Sequence, residues 1–250
     1  MTDAASDLRA RRLREQALRA HHSGVPQFTR FLEPPDETLA RAAANEAETR
    51  VFFFGGYPDA ERRIAAFSDD RTDESAYPIA CLELKWNPRF ASPEHRDLLG
   101  AVMGLGIERD AAGDIAFGVD AGTAYLFVRE DMAPFVRAGL ESAGRAHLVV
   151  SPAPLPPRIR EPEGETIRVT VSSERLDAIL AEGCRLSRAQ AQRLIAQGLV
   201  KRNHAVELRG DLHLAEGDLL SVRGFGRIRV LAFDGDTRKG RRAVRLFKYT

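Results

Sequence analysis

Apolar and polar positions alternate differently along successive stretches of the chain. Leu8, Leu13 and Ala17 recur at helical spacing between about Asp3 and Ala20 and predict a surface helix, broken by His21-His22-Ser23-Gly24. A second helix is expected after Pro34-Pro35, from near Asp36 to Glu48, with Leu39 and Ala43 inward. Val51-Phe52-Phe53-Phe54 and Arg63 to Phe67 read as short strands. The Gly55-Gly56 pair between them would let backbone approach a neighbour closely. Arg62 suits either a phosphate contact or a local ion pair in a tight turn. From Ile79 to Val150 the order is strand, helix, strand, strand, helix, strand, the order of a ferredoxin-like or RRM-like unit. Trp86, Phe90, Phe117 and Phe127 could face RNA from such a sheet, but no run has the usual aromatic RNP pattern, and most of these rings are expected in the core.

The densest set of signals lies between Glu174 and Val230. Leu176, Ile179 and Leu180 form one apolar stripe on a short helix, with Ser173 as its expected cap and Gly183 as its stop. A second helix follows. Ser187 can accept a hydrogen bond from the amide of Gln190, whose side chain can accept one from the amide of Ser187, a capping box. Ala191, Leu194 and Ile195 supply its buried stripe, and Gly198 its left-handed stop. Arg188 and Gln192, four residues apart, share one face close to the helix N-terminus, where unpaired N–H groups favour anions. After Gly198 the period changes to short strands. Ile228 to Phe233 and the stretch around Val244 and Leu246 are expected to pair as the last two.

Charge sharpens this reading. The 250 residues have a net charge of only +1, but it is unevenly spread. From Arg158 onward there are 19 Lys and Arg against 12 Asp and Glu, a net +7; the preceding residues carry 18 against 24, a net −6. The basic half is also the half with the helix pair, as a nucleic-acid partner would require. Arg238, Lys239, Arg241 and Arg242 lie in the turn before the last strand and extend that basic surface. The Pro-rich run from Ser151 to Pro157 reads as a semi-rigid spacer between the halves. Two cysteines, Cys81 and Cys184, fall in different segments and support neither a disulfide framework nor a zinc site. With no apolar run of membrane length and no signal-peptide block, the expected compartment is the cytoplasm.

Arg175-Leu176-Asp177, Ser187-Arg188, Ile195, Gly198-Leu199-Val200, Asn203, Gly217-Asp218 and Arg223-Gly224-Phe225-Gly226-Arg227 together resemble the S-four RNA-binding domain, the alpha-L motif. The resemblance implies RNA contacts from Arg175, Arg188, Gln192, Lys201, Asn203, Arg223 and Arg227; a structural ion pair is the alternative for Arg175 with Asp177. Further forward, Gly55-Gly56-Tyr57 with Ala60-Glu61-Arg62, His95-Arg96-Asp97-Leu98-Leu99-Gly100, Gly104-Leu105-Gly106-Ile107-Glu108-Arg109 and Gly113-Asp114-Ile115 are similar to the YlmH family, whose members carry this front part before an S-four domain. That family implies a bacterial cytoplasmic RNA-binding protein associated with the large ribosomal subunit and with rescue of stalled peptidyl-tRNA complexes.

The expected fold is α+β: a helical segment with short strands over 1-74, an RRM-like or ferredoxin-like domain over 75-151, a Pro-rich linker over 152-165 and an S-four domain over 166-250. The expected partners are rRNA or tRNA and the large ribosomal subunit, with no DNA, no membrane, no cofactor and no metal, for a monomer. No Gly-x-Ser-x-Gly, His-Glu-x-x-His or Walker loop is present, and His95-Arg96-Asp97 lacks the asparagine of a kinase catalytic loop, Val102 standing in its place. A non-enzyme is therefore expected. The alternative is an RNA-modifying enzyme of pseudouridine-synthase type, or its RNA-targeting subunit.

Overall fold

The computed structural model describes residues 3–161, 163–236 and 240–249, which form two compact units divided between Glu161 and Pro162. The first contains α1 (Asp3–Ser23), β1 (Gln27–Leu32), α2 (Pro34–Glu46), β2 (Arg50–Phe54), β3 (Arg63–Ser68), β4 (Ile79–Lys85), α3 (His95–Gly104), β5 (Ala112–Phe117), β6 (Thr123–Arg129), α4 (Ala133–Gly139), the small hairpin β7 (Ser142–Ala143) and β8 (Ala146–His147), and β9 (Val149–Ala153). The second contains β10 (Gly164–Val171), α5 (Leu176–Cys184), α6 (Arg188–Ala196), β11 (Val200–Arg202), β12 (Ala205–Val206), β13 (Leu219–Val222), β14 (Gly226–Asp236) and β15 (Arg242–Tyr249).

Two antiparallel sheets organise the first unit. One has the order β1-β3-β2 and packs on α1 and α2 through Leu13, Ala17, Ala40, Ala43, Ala65 and Phe67. The other has the order β5-β6-β4-β9, the ferredoxin-like arrangement expected for this stretch. Alternation along β4 and β6 turns Leu82, Leu84, Leu126 and Val128 toward α3 and α4, where Leu98, Val102 and Val136 are fully buried. The opposite face carries Cys81, Tyr125 and Phe127, and it is covered: Phe31, Ile64 and Ala66 of the three-stranded sheet lie in the same buried cluster. An RRM would read bases with this face. Here the N-terminal layer closes it, Phe127 is wholly buried, and Trp86 and Phe117 pack against the helix-side core; of the four candidate rings only Phe90 is exposed.

The Gly55-Gly56 turn explains how that closure is made. A Cβ on Gly56 would stand 2.3 Å from Phe127 Cδ1, and the backbone there has φ +97°. Tyr57 then stacks on Phe127 with ring centroids 5.0 Å apart and donates its hydroxyl to Asp114 Oδ2 at 3.0 Å. Burial raises the pKa of both Tyr57 and Asp114. Asp114 also accepts from the amides of Glu61 and Arg62. Gly56→Ala is expected to cost about 2–4 kcal/mol from the clash and the left-handed backbone together, read as a shifted urea midpoint.

Several boundaries differ from the sequence expectation. α1 runs through His21 and His22 to Ser23, so the paired histidines belong to its last turn and Gly24, at φ +65°, ends it. β1 and β10 were not expected. The Pro-rich run, expected as a semi-rigid spacer, begins as strand: Ser151, Pro152 and Ala153 pair with β4, and just beyond the run the amides of Val119 and Arg160 donate to the Arg158 and Phe117 carbonyls. Extended Pro-containing backbone joins an edge strand readily because its missing N–H can face outward. The α4 helix is shorter than expected, its continuation being the β7–β8 hairpin.

The second unit is a six-stranded antiparallel sheet of order β10-β15-β14-β13-β11-β12, with α5 and α6 on one face. Ile179, Leu180, Ala191 and Ile195 pack on Leu220, Val222, Ile228, Val230, Val244 and Leu246. Gly183 does not stop α5. It lies inside the helix, where an added Cβ would come within 3.0 Å of Ile228 Cδ1, so it permits close helix–sheet packing.

Candidate nucleic-acid interface

α5 begins with Arg175 in an extended conformation at its cap and without the expected Ser173 side chain. The 209–214 segment substitutes for it: the amides of Leu176 and Asp177 donate to the Leu212 and Gly210 carbonyls at 2.8 and 3.0 Å. This places Asp177 in the first turn with no solvent exposure. α6 begins with the expected capping box, Gln190 N donating to Ser187 Oγ at 3.2 Å and Ser187 N to Gln190 Oε1 at 2.8 Å. The box sets the rotation of α6, so that Arg188 and Gln192 face α5.

Arg175, Arg188 and Gln192 all converge on Asp177. Arg175 donates through Nε and Nη2 at 3.1 and 3.0 Å, Arg188 through Nε and Nη2 at 3.1 Å each, and Gln192 through Nε2 at 2.9 Å. Burial alone would raise the Asp177 pKa; the hydrogen bonds from Arg175, Arg188 and Gln192 outweigh it and hold the carboxyl at about 2. Each guanidinium uses one edge on this carboxylate and keeps further N–H groups for an incoming ligand. The side chains of Arg175 and Arg188 remain 34% and 47% exposed. Two guanidinium groups share one buried carboxylate, with Asp211 a further negative charge acting on Arg175, and the shared anchor fixes both forks in place. The ion pair expected as one alternative for Arg175 is present, and it occupies one edge of the guanidinium only.

A second buried carboxylate organises the turn after β11. Asp218 accepts from Arg202 Nε at 2.9 Å, Asn203 Nδ2 at 2.7 Å and the Ala215 amide at 2.8 Å. Asn203 has φ +47° and its Oδ1 accepts from the Leu219 amide, so its side chain builds the turn while the residue stays exposed. Arg202, absent from the sequence-based contacts, is tied in by the same acid, 16 positions away, so no local pattern marked it. Lys201 is exposed on β11, Arg223 is exposed in the turn between β13 and β14, and Arg227 is exposed on β14 with its guanidinium carbon 4.9 Å from the Tyr249 ring centroid.

The basic run leading into β15 is less available than its composition suggests. Arg242 Nε donates to Glu174 at 2.8 Å, and Arg241 donates to the Thr170 carbonyl and to Glu182 at 3.2 Å. These glutamates, distant in sequence, offset the two charges. Arg238 and Lys239 lie outside the described residues. The structure thus separates the expected contacts into the Asp177 hub, the β11–β14 side of the sheet, and two arginines paired with α5 and its approach.

Helix pair, sheet and cationic hub define an RNA-binding protein of the S-four class. The S4 domain family model matches residues 174–220, and the model described as "Putative RNA-binding domain in YlmH" matches residues 72–156. The chain is 38% identical over 216 residues, 85% of its length and 83% of the relative's, to the "Ribosome-associated protein quality control protein P2" of Bacillus subtilis (strain 168). The chain belongs to the YlmH family of RNA-binding proteins with a C-terminal S-four domain. Its fold is also similar to a solved structure, "Cell division protein ylmH from Streptococcus pneumoniae", with a TM-score of 0.50 and 22% identity, covering 61% of this chain and 93% of the other. Among the described residues no helix is long and apolar enough to cross a membrane.

Proposed function

We propose that this protein is a non-catalytic factor that docks on structured rRNA or tRNA at the large ribosomal subunit and acts on stalled complexes holding peptidyl-tRNA. The observation that carries this reading is the Asp177 hub, which holds two guanidinium groups with free edges at the mouth of the helix pair. The name of the Bacillus subtilis relative, a ribosome-associated quality control protein, supports the ribosomal setting. Phosphate contacts supply affinity, and the rigid placement of α5 and α6 against the sheet supplies shape selectivity. The setting is a reducing cytoplasm, and the chain acts as a monomer without cofactor. Arg175, Arg188 and Gln192 form the primary contact, and Lys201, Arg223 and Arg227 add positive charge from the sheet. Arg241 and Arg242 contribute secondarily through their glutamate-paired groups.

Sedimentation with purified ribosomal subunits and with free tRNA tests this. The protein is expected to travel with the large subunit, and raised salt is expected to weaken the association because phosphate binding releases counterions. Arg188→Ala is expected to weaken it by about 1–3 kcal/mol, the usual range for a charge-assisted hydrogen bond. Full association by a folded Arg188→Ala variant would remove the hub as the contact. Association with neither subunit would move the proposal to free tRNA.

A further inference from the structure

The sheet of the second unit has two faces, and only one is occupied by α5 and α6. Strand register places the residues of the other face in rows. Lys201 pairs with Ser221, Ser221 with Arg227, and Arg227 lies against Tyr249. In the next row Arg229 pairs with Phe247. These positions alternate with Val200, Val222, Ile228, Val230 and Leu246, all at most 3% exposed in the helix-side core, so they project from the opposite side. Phe247 and Tyr249 are two residues apart on one strand, with ring centroids 4.9 Å apart and planes at 88°. Arg229 Nε is buried without an acceptor among the described residues.

The charge of this face is one-sided. Lys201, Arg227, Arg229, Arg168 and Arg245 stand on it; among the described strand residues its acid is Asp234, paired with Arg245 at 2.9 Å and Arg168 at 3.6 Å. Asp234 therefore stands with Arg168 and Arg245 toward one end of the face, and basic residues outnumber it among the described strand residues. Aromatic rings on a cationic sheet match the chemistry of single-stranded RNA, whose bases stack on rings and guanidinium planes while its phosphates seek positive charge. A protein partner would need either a larger apolar area or an acidic surface of its own, and the rings here are only half-buried and few.

We infer that the helix-free face of this sheet, centred on Arg227, Arg229, Phe247 and Tyr249, is a second RNA surface that binds an unpaired strand, while the Asp177 hub binds structured RNA. The inference rests on the RNA-binding reading above but assigns a separate site with its own ligand. One domain would then hold a folded RNA element on its helices and an adjoining single-stranded segment on its sheet.

Fluorescence anisotropy of the full chain with labelled oligouridylate, and separately with a stable RNA hairpin, tests this, with melting curves confirming that each variant is folded. Phe247→Leu keeps an apolar side chain in the strand but removes the ring; Arg229→Gln removes charge. Each is expected to weaken oligouridylate binding about tenfold, within the range for loss of one base stack, and to leave hairpin binding unchanged. Arg188→Ala is expected to do the reverse. Ultraviolet crosslinking of bound oligouridylate is expected to map to residues 242–249. Oligouridylate binding unaffected by both sheet variants, or equal losses on both RNAs, would overturn the second site while leaving the hub's role to be judged by Arg188→Ala alone. Failure of the wild-type chain to bind oligouridylate, with binding of an acidic polypeptide instead, would overturn it in favour of a protein partner.

Discussion

Asp177→Asn is expected to destabilise the C-terminal unit by about 3 kcal/mol, the low end of the range for breaking a buried charge cluster, because its two guanidinium partners keep some water. In a unit of this size that corresponds to a melting temperature lower by roughly 12–24 °C. The cause is specific. Asp177 has no solvent exposure and takes five hydrogen bonds from Arg175, Arg188 and Gln192; an amide would turn donors toward donors. The same group makes stability depend on pH. An unfolded aspartate titrates near ~3.9, whereas here the carboxyl is held at about 2. A depressed carboxyl contributes stability that is present above the unfolded value and is lost as pH falls through the folded one. On the order of 2 kcal/mol should therefore disappear between about pH 5 and pH 2 in the wild type. Melts across that window should converge for wild type and Asp177→Asn at the acid end; a constant gap would show that the carboxylate is not the stabilising group. RNA affinity should fall in Asp177→Asn even below its melting transition, since both forks lose their anchor.

Arg62→Met is expected to destabilise the first unit by about 1–3 kcal/mol without removing an RNA contact. Arg62 is only 7% exposed. Its guanidinium donates to the carbonyls of Ala112, Phe31 and Arg109 at 3.1, 3.4 and 3.2 Å and to Glu33 Oε1 at 3.0 Å. It thereby ties β1 and the turn before α2 to the start of β5. Methionine would replace the aliphatic stem but take a buried donor from the Phe31 and Arg109 carbonyls, while Ala112 keeps the Arg109 guanidinium at 2.8 Å. Differential scanning calorimetry should show a transition of the first unit at lower temperature, with RNA binding preserved while that unit is folded. Lost RNA binding with an unchanged transition would instead make Arg62 a phosphate contact.

The two arginines show where sequence reasoning reached its limit. Arg188 was legible because a capping box fixes a helix start and helical spacing then fixes a face. Arg62 was not, since its partners come from residues 29 to 50 positions away. Local pattern could offer only a turn ion pair or a phosphate contact for it. The same limit explains the missed strands. β10 alternates Ile167, Val169 and Val171 in a readable way, but its assignment as a strand depends on β15, more than seventy residues later. β1 gains its partner in β3 only after α2 and β2 have been placed.

What the sequence by itself determined is local and chemical. It determined the helix pair with its capping box, the basic C-terminal half, the ferredoxin-like order of elements and the residues that carry the family resemblance. Each depends on neighbours within a turn or on periodicity, which the chain states directly. Tertiary structure alone decided which charged and aromatic side chains are tied into the fold and which stay exposed. It closed the aromatic sheet face with the N-terminal layer, turned Asn203 into a brace for Asp218, and matched Arg241 and Arg242 to Glu182 and Glu174. It also gathered Arg227, Arg229, Phe247 and Tyr249 onto one side of a sheet. The physical reason is common to all of these. A charge or a ring has no fixed role until its surroundings set whether water, a counter-charge or a neighbouring side chain meets it, and those surroundings come from distant parts of the chain.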